Sequence, residues 1–148
     1  MPASEDLLLF RAVDAGRRRA MALRLLLDDG WRLGGEPDLW ELHDATLGVD
    51  DQPAAVASTR PLDDGHRVQL VGLAVAVADG VHTIAQRMVE ELVQALRARG
   101  ASALVAAVPG DAPDAMDVLE GAGLRRHDGA RPALDGDDPD LVWFHVLL

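Results

Sequence analysis

A chain of 148 residues with 25 acids against 14 bases carries a formal charge of −11, and every base is Arg. That field repels a phosphate backbone, so nucleic-acid binding by charge neutralisation is excluded as a first reading. No cysteine is present, which removes disulfides, thiolate metal sites and a thiol nucleophile, and 49% hydrophobic residues are enough for a buried core. The opening MPASEDLLLF has acids where a secretory leader needs bases, and no apolar run reaches the length of about 20 residues that spans a membrane. A cytoplasmic protein folding as one domain over residues 1–148 is the expectation.

Leu7 to Arg11 is a short apolar run that predicts a first strand. Asp14 offers an N-cap oxygen, and Ala15 to Asp29 reads as a helix ending at Gly30. Its apolar residues (Ala20, Met21, Leu23, Leu25, Leu26, Leu27) are too dense for one stripe, which predicts a well-buried helix. The basic run Arg17 to Arg19 at its start reads as a solvated face. Trp31 to Pro37 is a Gly-rich turn region. Leu39 to Ala45, Ala54 to Arg60 and His66 to Val77, joined by turns, predict three strands of an antiparallel meander.

A long amphipathic helix is predicted from about Ile84 to Arg99, ending at Gly100. Thr83-Ile84-Ala85-Gln86 has the spacing of a capping box, with the Thr83 oxygen taking the Gln86 N–H. Ala103 to Val108 is wholly apolar, as a buried parallel strand reached through a helix should be. Ala112 to Gly121 predicts a short helix, Arg125 to Asp140 a polar excursion, and Leu141 to Leu148 a closing strand. The expected fold is α/β (α+β): a mixed, mostly antiparallel central sheet flanked by helices.

This order of elements resembles the GNAT superfamily of acetyl-CoA-dependent N-acyltransferases. Leu73-Ala74-Val75 falls on the opening of that family's central motif, and Ala85 on its last small residue. Ala115, Glu120 and Gly123-Leu124 look like the ending of its last helix. The resemblance implies an acetyl-CoA cosubstrate held by Leu73, Val75 and the segment Val81, His82, Thr83, Ile84, Ala85, Gln86 and Arg87. His82 and Arg87 would supply charge, and the N–H groups of Ile84 and Ala85 would remain open to a phosphate. Small residues in such a turn let phosphate approach the backbone.

The chain departs from the pattern at Gly80, where Arg or Gln is usual, and at Val81 and Thr83, where the motif has glycines. The Tyr that serves many members as an acid corresponds to Leu119, and the chain has no Tyr. A Glu that some members carry in the central strand corresponds to Gln69, which the resemblance makes a catalytic-site candidate together with His66 although an amide cannot act as a base. His66, Glu41 and His43 are then the nearest candidates for a water-relayed base. Arg125-Arg126 would lie towards the adenosine phosphates. The function implied is transfer of an acetyl group to an amine of a small molecule or protein, with a homodimer compatible with the family. The other reading is a catalytically silent domain that senses acyl-CoA or serves as an interaction module. The five His residues are scattered with no i, i+4 pair, so no metal is expected.

Overall fold

The computed structural model describes residues 8–13, 16–28, 37–44, 53–62, 66–76, 80–126 and 141–148. They build one seven-stranded sheet with three helices. In chain order the elements are β1 (Leu8–Ala12), α1 (Arg17–Asp28), β2 (Asp38–Asp44), β3 (Ala55–Pro61), β4 (Arg67–Val75), α2 (Val81–Ala98), β5 (Ala103–Pro109), α3 (Pro113–Gly121), β6 (Arg125–Arg126) and β7 (Leu141–Leu147). The sheet order is β1-β2-β3-β4-β5-β7-β6. Every pair is antiparallel except β4 with β5, which the α2 crossover makes parallel. The mixed, mostly antiparallel sheet expected from the residue pattern is therefore present. Of the expected turns Trp31 to Pro37, Leu47 to Pro53 and Pro61 to Gly65, residues 31–36, 47–52 and 63–65 lie outside the described residues, as do the N-cap expected at Asp14 and residues 127–140 of the polar excursion.

The helices divide between the two faces. Leu92, Met88 and Val89 of α2 are fully buried against Leu42, Ala57, Leu104 and Phe144 of the sheet. On the opposite face, Ala22 and Leu26 of α1 pack on Leu39, Val56 and Ala74. The dense apolar composition of α1 predicts a well-buried helix, and the structure corrects this. A helix lying on a sheet presents one stripe to it, so Ala22 and Leu26 are covered while Leu27 is 58% exposed. Trp40 belongs to the core: its indole N–H donates to Thr59 Oγ1 at 2.9 Å, and Arg99 sits 4.5 Å over its ring.

One irregularity shapes the rest. Ser58 pairs with Gly72 and Thr59 with Leu70, so Val71 of β4 has no ladder partner on β3. An extra residue of this kind reverses the alternation of side chains along its strand. Val68 and Leu70 before it, and Leu73 and Val75 after it, consequently all pack on the α2 face. No described helix is long and apolar enough to cross a membrane.

Candidate acyl-CoA cleft

The β4–β5 ladder runs from Arg67↔Ala103 to Leu70↔Ala106 and then stops. Strand β4 continues to Val75, and β5 continues to Pro109 while still paired with β7. The two parallel strands thus diverge at the Val71 bulge. They leave a cleft whose closed end is the Leu70–Ala106 pair.

A pocket of about 490 Å³ occupies this opening. Leu70, Leu73 and Val75 line it from β4, and Ala106, Ala107 and Val108 from β5. Val81, His82 and Ala85 contribute from the first turns of α2, and Asp114, Ala115, Val118 and Leu119 from α3. Its polarity is graded. Val81, His82 and Asp114 are exposed at the rim, whereas Ala85, Ala106, Val108, Val118 and Leu119 are buried. The size suits a small ligand or the arm of a larger one.

The rim carries the start of α2. Gly80 is the N-cap, with φ of 72°, and the Ile84 N–H donates to the Gly80 carbonyl at 2.9 Å. Glycine has no Cβ to oppose this left-handed conformation, which allows the chain to turn sharply into the helix. The capping box expected at Thr83 is thereby corrected: the helix begins at Val81, and no side chain caps it. Gln86 does not reach back to Thr83, since its Nε2 donates to Glu90 Oε1 at 3.1 Å.

The open donors move with the helix start. Ile84 and Ala85, expected to offer free N–H groups, lie inside the helical ladder. Helical geometry instead leaves the N–H groups of Val81, His82 and Thr83 without an intrahelical acceptor. No acid stands in this first turn, despite the acidity of the whole chain. The turn therefore joins unpaired donors to the positive end of the helix dipole at the mouth of an apolar cleft.

Replacing Gly80 by Ala should cost about 1–2 kcal/mol through the left-handed backbone alone, because a Cβ there meets nothing within 4 Å. Thermal denaturation should show a drop of a few degrees, and Gly80→Asn, which tolerates this conformation better, a smaller one. Equal stability of the Ala variant and the parent would contradict the assigned geometry.

The remaining candidates divide clearly. Leu73, Val75, Val81, His82 and Ala85 line the pocket, and Thr83 is exposed on the same first turn. The Ile84 side chain enters the core. The Arg87 Nε is 2.9 Å from Glu91 Oε1, one helical turn on. Gln69 precedes the bulge on the opposite face from Leu70, and its Oε1 accepts from Arg60 Nε at 3.2 Å. His66 lies before β4, past the closed end of the cleft, where its carbonyl accepts the Ser102 N–H. Glu41 is buried and paired with Arg11, and both it and His43 sit on β2, beyond β3. Arg125 and Arg126 are exposed on β6 beside β7. Asp114 was missed in the residue pattern, because only the fold brings the start of α3 over the cleft. Among the described residues no group of His, Asp or Glu is arranged to hold a metal.

Comparison with solved structures gives the same scaffold. A Bacillus subtilis acetyltransferase in complex with CoA aligns over 95% of this chain and 99% of its own, with a TM-score of 0.68 at 12% identity. A putative GNAT-family acetyltransferase from Desulfovibrio desulfuricans aligns over 95% and 98%, with a TM-score of 0.70 at 16% identity. A variant of the SpeG spermidine N-acetyltransferase from Vibrio cholerae aligns over 97% and 95%, with a TM-score of 0.70 at 10% identity. No protein-family model and no curated protein matches the sequence. At such identities the likeness is one of fold: the chain has the GNAT acetyltransferase fold.

Proposed function

We propose that this chain, built on the GNAT fold, is an acyl-CoA-dependent N-acyltransferase acting on an amine of a small molecule or a protein. The observation that carries the reading is the divergence of β4 from β5 beside the uncapped start of α2. Diverging strands expose main-chain groups that can pair with the amides of a pantetheine arm, as an added strand would. The first-turn N–H groups of Val81, His82 and Thr83 suit its pyrophosphate. In a transfer reaction the amine nitrogen attacks the thioester carbonyl carbon, the C–S bond breaks, and the sulfur leaves as thiolate. The proton lost by the amine returns to that sulfur directly or through water. A formal charge of −11 favours a cationic amine as the acceptor.

One observation favours the second reading, a silent acyl-CoA sensor. Of the titratable side chains on described residues, only His82 and Asp114 line the pocket, and both stand at its rim. Leu119 holds the position where the resemblance places a phenolic acid, and it is buried in the pocket wall.

A thermal-shift titration with CoA and acetyl-CoA, followed by a thiol-release assay over an amine panel, separates the readings. The transferase predicts a raised melting temperature with both ligands and free CoA released with at least one amine. Stabilisation without turnover supports the sensor. No shift at millimolar ligand would leave only an interaction module.

A further inference from the structure

We infer that the cleft selects an acyl group longer than acetyl and uncharged. This rests on the acyl-CoA reading above and specifies its donor. The start of α2 orients the ligand, with the anionic end at the rim donors and the thioester end towards the closed Leu70–Ala106 pair. The floor is formed by Ala85, Ala106, Val108, Val118 and Leu119, all buried and none bearing a side-chain nitrogen or oxygen. Four alanines at the wall (Ala85, Ala106, Ala107 and Ala115) leave space that larger side chains would fill.

An acetyl group offers one methyl to this floor. Each further methylene removes more apolar surface from water, at about 0.8 kcal/mol, which is roughly fourfold in affinity. A carboxylate carried into the same space would lose its hydration and meet no side-chain donor. The wall therefore discriminates by length and by charge at once. Butyryl and succinyl groups have the same four-carbon length and differ in the terminal carboxylate, so they test the two criteria separately.

The experiment is calorimetric titration of the full chain with CoA and with acetyl-, butyryl-, hexanoyl- and succinyl-CoA. Affinity should rise about fourfold per added methylene until the floor is filled, and succinyl-CoA should bind at least tenfold more weakly than butyryl-CoA. Ala115→Leu should bring the hexanoyl-to-acetyl affinity ratio close to one, and Val118→Ala should increase it. Each ratio is taken within one variant, so a general loss of stability does not mimic the effect. Binding of CoA and acetyl-CoA with no gain on lengthening, or succinyl-CoA equal to butyryl-CoA, overturns the inference while leaving the acyl-CoA reading intact. Failure of every CoA compound to bind overturns both.

Discussion

Thr83→Asp is expected to lower CoA affinity tenfold or more while leaving the melting temperature unchanged or slightly raised. Thr83 is exposed in the first turn of α2, and no acid occupies that turn in the parent chain. A carboxylate there interacts favourably with the helix dipole, typically by 0.3–1 kcal/mol when exposed. The added negative charge on an already acidic surface offsets part of that gain. For an anionic ligand the effect reverses, because the new carboxylate occupies the donors and repels phosphate. Two unit charges about 4 Å apart near a protein surface interact by about 4 kcal/mol before salt screening, and tenfold in affinity needs only about 1.4 kcal/mol. Thr83→Asn, nearly the same shape without the charge, should retain affinity within a few-fold. Calorimetric titration at two salt concentrations checks the result, since the penalty should shrink at the higher one. Equal CoA affinity in the parent and the Asp variant would show that no phosphate meets this turn.

Phe144→Ala is expected to have the largest effect on stability, about 3–5 kcal/mol, from lost burial and the cavity left behind. Phe144 is 1% exposed, stands opposite Ala106 in the β5–β7 ladder, and packs in the same core as Met88 and Leu92. Domains of this size are stable by only 5–15 kcal/mol, so the loss should appear as a large fall in the urea midpoint. It should also weaken ligand binding. Past Ala106, β5 has no ladder with β4 and is held in the sheet by β7, so the β7 core side chains support that wall of the cleft. Leu27→Ala is the contrast: its side chain is 58% exposed on α1, and the change should stay within about 0.5 kcal/mol. Comparable losses in the two variants would mean that the core is not divided as assigned.

The elements that local pattern revealed are those whose burial is uniform along their length. Ala103 to Val108 is apolar at every position, which only a strand covered on both faces requires, and β5 is such a strand. The meander of β2, β3 and β4 was legible from its alternation and turns, and the long α2 from its amphipathic period. Boundaries failed where two local signals competed. Thr83 to Gln86 fits a capping box, but the left-handed turn at Gly80 starts the helix before it. The two-residue β6 was not visible, because Arg125-Arg126 has no strand pattern apart from its pairing with β7.

Composition and local periodicity were enough for the order of every element but β6, the absence of cysteine and tyrosine, and the acidic field. These follow from composition and from periodicities set by the geometry of one helix or one strand. Strand pairing and packing set the rest: the ladder ends at Leu70 and Ala106, Val71 is the bulge, and α3 closes an apolar floor beneath the α2 donors. Each of these is a relation between segments distant in the chain. A bulge exists only relative to a partner strand, and a cleft only where two strands cease to pair.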